Sequence, residues 1–132
     1  MSDEAHRRGH VVFVYGTLLR GERNHRLLDG ARFMGEASTE PGFELADLGA
    51  FPAMLPGRGA GVVGELYGVD TQTLAALDRL ERHPHFYRRT PIALANGTCA
   101  DAYLLDPALA QGRPRIASGD WRRRQTTRPR RC

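Results

Sequence analysis

The run Val11-Val12-Phe13-Val14-Tyr15 restricts the fold more than any other stretch of this sequence. It is continuous, apolar and rich in β-branched residues, so it reads as a strand that must be kept from water on both faces. In a chain of 132 residues that points to one domain built around one core. The run halts at Tyr15-Gly16-Thr17. Gly16 lets the backbone turn and lets another group come close to it. A strand ending in such a turn leaves backbone N–H groups without ladder partners, and successive free N–H groups form a concave nest that suits a carboxylate. An ordinary strand-to-loop turn would have the same composition. A glutamate late in the chain separates the two readings.

Composition removes several classes of function. Hydrophobic residues make up 41% of the chain, ordinary for a globular domain, and no apolar stretch approaches the length of a bilayer span. Residues 1–10 are charged and lack the apolar core of a signal peptide, so a cytoplasmic location is expected. Cys99 and Cys132 fall in an expected strand and at the last position, which predicts neither a disulfide nor a zinc site. The net charge of +4 is unevenly spread: residues 113–132 carry eight of the 19 arginines against a single acid, Asp120, and the chain has no lysine. The basic character therefore belongs to the end of the chain. Such a segment reads either as a solvated tail or as a contact for nucleic acid or an acidic partner.

In order, residues 1–9 read as disordered, His10–Tyr15 as the first strand, and Asn24–Leu28 as a short helix with Asn24 as N-cap and Gly30 closing it. Strand character recurs at 31–39 and 42–48. Phe51–Pro56 is apolar but held between prolines, which predicts an extended or loop segment. The glycine-rich 57–61 reads as a turn, since no lysine or strand-to-helix setting makes it a phosphate loop. Val62–Val69 is a strand in which Gly64 and Gly68 suggest bulges or close backbone contact. Asp70–Arg82 is the one convincing helix, and His83-Pro84 stops it. Phe86–Leu94 and Cys99–Leu105 form a hairpin about Asn96-Gly97. Many short strands, frequent turns and one real helix predict an α+β domain whose sheet curls toward a small β-barrel. The domain spans 10–121, and 122–132 reads as a disordered basic tail.

The helix carries a carboxylate on its apolar side. At about 100° per residue, Glu81 falls about 40° from the centre of the Leu74, Leu77, Leu80 stripe, and Asp78 falls at its edge. A carboxylate facing the core is costly unless paired or protonated, and desolvation raises its pKa toward the range useful for proton transfer. Three other readings stay open: Glu81 caps the helix end, pairs with Arg88 or Arg89, or sits at the rim. His83 and His85 flank a proline with no ligand partner at a usual spacing, so they read as exposed loop histidines rather than metal ligands. Ser118 and Thr17 have no evident histidine–acid set for nucleophilic hydrolysis.

The motifs, taken in order, resemble the gamma-glutamylcyclotransferase superfamily, nearest its gamma-glutamylamine cyclotransferase branch. They are Val12-Phe13-Val14-Tyr15-Gly16-Thr17-Leu18, Arg20-Gly21, Asn24-His25, Gly64-Glu65-Leu66-Tyr67, Leu77-Asp78-Arg79-Leu80-Glu81, Tyr87-Arg88-Arg89-Thr90 and Ser118-Gly119-Asp120-Trp121. The resemblance covers about Val11 to Trp121. It implies a small barrel with helices around it. It implies that Tyr15, Gly16, Thr17 and Leu18 bind a γ-glutamyl group through backbone amides, and that Glu81 is the acid–base. Tyr87 is expected to line the pocket. Many members place a glycine after that glutamate, where this chain has Arg82.

The implied reaction is cyclisation of a γ-glutamyl amide to 5-oxoproline with release of a free amine, and it requires no metal or cofactor. The amine is open: a lysine ε-amine, a polyamine, a γ-glutamyl-protected natural-product intermediate or an α-amino acid. The alternative is a non-catalytic binding module of the same fold whose arginine-rich tail contacts nucleic acid or an acidic partner.

Overall fold

A computed structural model describes residues 9–127. Seven strands run in chain order: β1 (His10–Val14), β2 (Arg32–Ser38), β3 (Phe43–Asp47), β4 (Pro52–Pro56), β5 (Val63–Val69), β6 (Tyr87–Ala93) and β7 (Cys99–Leu105). One α-helix, α1 (Thr71–Glu81), lies between β5 and β6. Short 3₁₀ segments occupy His25–Leu28, Pro107–Ala110 and Trp121–Thr127. The strands form one mixed sheet in the order β2-β5-β1-β7-β4-β3, with β6 on β7. Asp70 opens α1 by accepting the Thr73 N–H at 2.7 Å, as an N-cap does.

The first apolar run is the centre of this sheet. Val12, Phe13 and Val14 are buried between β5 on one side, antiparallel from His10↔Val69 to Val14↔Glu65, and β7 on the other. β7 pairs in parallel with β1 at Val12↔Asp101 and with β4 at Met54↔Leu104. Continuing the first register would set Tyr15 opposite Leu104, but Met54 stands there instead. The sheet therefore parts between β1 and β4 just where the Tyr15–Leu18 loop leaves it.

Three expectations change in detail. The barrel does not close through a continuous ladder. β2 and β6 approach at one bridge, Thr39↔Leu94, flanked by Glu40 N–H to Ala93 O (3.2 Å) and Ala95 N–H to Ser38 O (2.8 Å), so the α+β sheet curls without sealing. Of the two readings of Phe51–Pro56 the extended one holds: Pro52–Pro56 is a strand whose first four residues are buried. Its prolines stand at the two ends, where a missing N–H is tolerated. The bulge falls in β2 between Phe33 and Gly35, not in β5. The expected tail at 122–132 is described to residue 127, within a 3₁₀ segment. Residues 1–8 and 128–132, which include Cys132 and most of the expected disordered N-terminus, lie outside the described residues.

Gly64 shows why β5 needs a glycine there. A Cβ at this position would lie 2.1 Å from the Val14 carbonyl oxygen and 2.7 Å from the Phe13 ring. Backbone and a buried ring cannot both retreat. Gly64→Ala is expected to destabilise the protein by on the order of 1–3 kcal/mol, read as a lower denaturation midpoint in urea. A midpoint equal to that of the parent chain would refute this account of β1–β5 packing.

Candidate active site

The parting of β1 and β4 opens into a cavity of about 250 Å³. The loop after β1 lines one side with Tyr15, Gly16, Thr17 and Leu18, joined by Arg23 and Asn24. The end of α1 lines the other with Leu80, Glu81 and Arg82, and Phe51, Pro52, Phe86, Tyr87 and Tyr103 complete the wall. All six residues singled out in the sequence thus meet at one cavity. Sequence reasoning missed Tyr103, which reaches the cavity from β7, and Arg23.

The loop is a tight turn. Leu19 N–H bonds Gly16 O at 3.1 Å, and Asn24 N–H bonds Thr17 O at 2.9 Å. Asn24 stands at the expected N-cap position but makes no cap bond; its amide donates to Thr17 Oγ1 at 3.0 Å instead. Among the described residues, no backbone acceptor is bonded to the N–H of Gly16, Thr17 or Leu18. Gly16 is needed for close approach: a Cβ there would meet Pro52 Cγ at 2.6 Å.

Three tyrosines surround Glu81, and each hydroxyl proton is already committed. Tyr15 Oη donates to Tyr103 O at 2.5 Å and accepts the Met54 N–H at 3.2 Å. Tyr87 Oη donates to Pro52 O at 2.7 Å. Tyr103 Oη donates to Asp78 Oδ1 at 2.6 Å. Burial raises the pKa of all three, and the neighbouring Glu81 carboxylate adds to it. They are wall and scaffold rather than proton carriers at neutral pH.

Glu81 differs from every other acid near it. Asp78 is held by Arg89 at 2.9 and 3.0 Å and by Tyr103. Burial works to raise the Asp78 pKa, but these partners bring it below its usual value. Arg89 also approaches Asp101 at 3.6 Å, so the pairing once open to Glu81 goes elsewhere. The half-buried Glu81 carboxylate has no hydrogen-bond or ion-pair partner among the described residues. Burial alone raises its pKa from 4.5 to about 7. His83 is not a free loop histidine: its Nδ1 accepts the Arg89 N–H at 3.0 Å. No group of His, Cys, Asp or Glu side chains among the described residues is arranged to hold a metal ion.

The helix end sets where Glu81 points. Arg82 takes the left-handed conformation, φ 59° and ψ 40°. Its N–H bonds Arg79 O at 3.2 Å and the His83 N–H bonds Asp78 O at 3.0 Å, the pair of bonds that defines a Schellman cap. That position favours glycine, the residue the resemblance leads one to expect here in place of Arg82.

With this geometry in view, the comparisons with known proteins are direct. The family model described as "Gamma-glutamyl cyclotransferase, AIG2-like" matches residues 12–123. The chain belongs to the gamma-glutamyl cyclotransferase, AIG2-like family. It is 45% identical over 112 residues to a Vibrio cholerae protein that carries a provisional gamma-glutamylcyclotransferase name, covering 85% of this chain and 95% of that one. It is 44% identical over 103 residues to the gamma-glutamylaminecyclotransferase of Bos taurus, covering 71% of this chain and 61% of the bovine one. The crystal structure of an AIG2-like protein of Mus musculus superposes with a TM-score of 0.70 at 34% identity, over 80% of this chain and 84% of that. Family and relatives alike class the chain as a gamma-glutamylcyclotransferase. Among the described residues, no helix is long and apolar enough to cross a membrane.

Two outcomes follow from this cluster. The raised Glu81 pKa means that the folded chain holds a proton there that the unfolded chain has lost. Stability therefore falls as pH rises from 4.5 to about 7 and stays flat above. Glu81→Gln removes that loss: at pH 8 it should be more stable than the parent chain by on the order of 1–3 kcal/mol, and near pH 4 the difference should vanish. Urea titrations at both pH values measure it; a Gln variant less stable at pH 8 would contradict the placement of Glu81. Separately, Arg82→Gly should raise stability by about 1 kcal/mol by relieving the left-handed strain, visible as a higher melting temperature.

Proposed function

We propose that this gamma-glutamylcyclotransferase cleaves a γ-glutamyl amide by intramolecular attack of its α-amine, with Glu81 as the acid–base and the loop Tyr15–Leu18 as the substrate cradle. One observation carries the reading. Glu81, an unpaired carboxyl with a pKa of about 7, lines the same small cavity as three residues whose backbone N–H groups have no backbone acceptor among the described residues.

The substrate α-carboxylate sits on the N–H groups of the cradle, which binds an anion without a charged side chain. This bends the glutamyl chain so that its α-nitrogen lies near its own γ-carbonyl. Glu81 takes a proton from the α-ammonium. The freed amine attacks the γ-carbonyl carbon, and the new C–N bond closes a five-membered ring. The nitrogen of the old amide then receives the proton from Glu81 as its C–N bond breaks. The products are 5-oxoproline and the free amine. Attack within one molecule supplies high effective molarity once the bent form is held. Tyr87 supports this reading as wall: its ring closes the cavity while its hydroxyl serves Pro52.

The leaving amine extends past Phe51, Phe86 and Arg82 at the cavity rim. A lysine ε-amine, a polyamine or a protected natural-product intermediate are the amines considered, in keeping with the gamma-glutamylaminecyclotransferase relative. The reading as a binding module with a nucleic-acid-binding tail draws less support. Arg115 pairs with Glu44 at 3.1 Å, Arg122 with Glu65 at 3.3 Å, and Arg124 stacks 3.8 Å from the centre of the Trp121 ring. Each of the three is engaged within the domain.

Assaying 5-oxoproline release from a panel of γ-glutamyl amides tests the proposal. Glu81→Gln should lower kcat about 10²–10⁴-fold with the fold intact. The parent enzyme should lose activity as pH drops below about 7, because the base is then protonated. Retained turnover in the variant, or release that is flat with pH through this range, would remove Glu81 from the mechanism.

A further inference from the structure

Beneath the cradle loop lies a carboxylate that the proposed chemistry leaves unused. Glu65, on β5, is 1% exposed. Burial works to raise its pKa, yet the Arg20 backbone N–H, the Tyr67 hydroxyl and the Arg122 and Arg20 guanidinium groups hold it below its usual value. It is therefore a buried anion, which costs stability unless it is fully partnered. Four donors meet it. The Arg20 N–H (3.0 Å) and Tyr67 Oη (3.0 Å) reach Oε1. Arg20 Nε (3.3 Å) and Arg122 Nη2 (3.3 Å) reach Oε2.

Arg122 does a second thing: its Nη2 also donates to the Arg20 carbonyl oxygen. Both backbone groups of one residue are thus held, the N–H by Glu65 and the C=O by Arg122. That residue is two positions beyond Leu18, at the end of the cradle. The cradle itself is an irregular turn closed by local bonds such as Leu19 N–H to Gly16 O, which do not fix it against the sheet. The grip on Arg20 does, because Glu65 belongs to a central strand.

We propose that Arg122 and Glu65 are positioning residues of the substrate cradle. The C-terminal segment reaches back across 102 positions to hold the loop Tyr15–Leu18 in its binding geometry. The inference rests on the cradle reading above and deepens it: the basic end of the chain becomes part of the substrate site.

The test is steady-state 5-oxoproline release joined to calorimetric titration with L-glutamine, the smallest γ-glutamyl amide. Arg122→Met keeps the aliphatic stem and deletes the guanidinium. It should raise KM about tenfold, leave kcat within about twofold and leave the pH midpoint unmoved, as expected for lost binding geometry rather than lost chemistry. Glutamine affinity should fall by a like factor. Arg122→Lys should recover part of the loss. Glu65→Gln should act in the same direction. Arg115→Met deletes the arginine paired with Glu44 at 3.1 Å, away from the cavity, so it should lower Tm without moving KM. Should Arg122→Met not fold, Arg122→Lys and Glu65→Gln carry the same comparison. Unchanged KM and glutamine affinity in folded variants would overturn the inference, as would a fall in kcat alone. A parent chain that binds glutamine but releases no 5-oxoproline would refute the enzymatic reading, while the variants' affinities still decide the positioning role. A parent chain that neither binds nor reacts would overturn both.

Discussion

The hydroxyl of Tyr15 is the bond on which the site depends. β1 and β4 both seek the same edge of β7, and past Val12↔Asp101 that edge passes to Met54. Two strands that part within a sheet leave backbone groups exposed in the core, which is costly. Tyr15 meets that cost by accepting the Met54 N–H and donating to Tyr103 O. It closes the base of the opening and leaves the space above it as a cavity. The same residue begins the loop that lines the cavity, so the defect in the sheet and the candidate site are one feature.

Around that opening most side-chain polar groups are spent on one another, while the Glu81 carboxyl has no partner among the described residues. Asp78, Arg89 and Tyr103 satisfy one another. The tyrosine hydroxyls serve backbone carbonyls or Asp78. Glu65 is fully partnered. Against this background the lone Glu81 carboxyl stands out chemically. The three tyrosine hydroxyls near it are already committed, so its protonation responds to burial and to whatever enters the cavity. Proton transfer wants a group of that kind, and stability does not.

Much of this was legible in the sequence, where local rules suffice. The apolar run of β1, the helix that follows β5, the hairpin about Asn96-Gly97 and the place of Glu81 on the leucine side of α1 follow from periodicity and turn chemistry. Other features depend on partners distant in the chain. Pro52–Pro56 is a strand because β3 and β7 flank it, whereas its prolines argue locally against one. Asn24 leaves its cap role for Thr17 Oγ1, a choice made by the loop's closure. Tyr103 reaches the cavity through strand order, which periodicity cannot report. The Glu65–Arg122 contact spans 57 positions and carried no local signal beyond the oddity of a glutamate inside an apolar strand.

Glu81 is the last residue of α1, and the Schellman cap begins one position later. A helix end is where native structure opens first, by local events that leave the rest of the molecule folded. The two bonds of Arg82 and His83 close the helix there, and Asp78 and His83 tie the same turn to Arg89 on β6 and Tyr103 on β7. The last turn of one short helix is thereby bolted to the sheet, and loosening β6 or β7 at these bonds would also shift the Glu81 carboxyl.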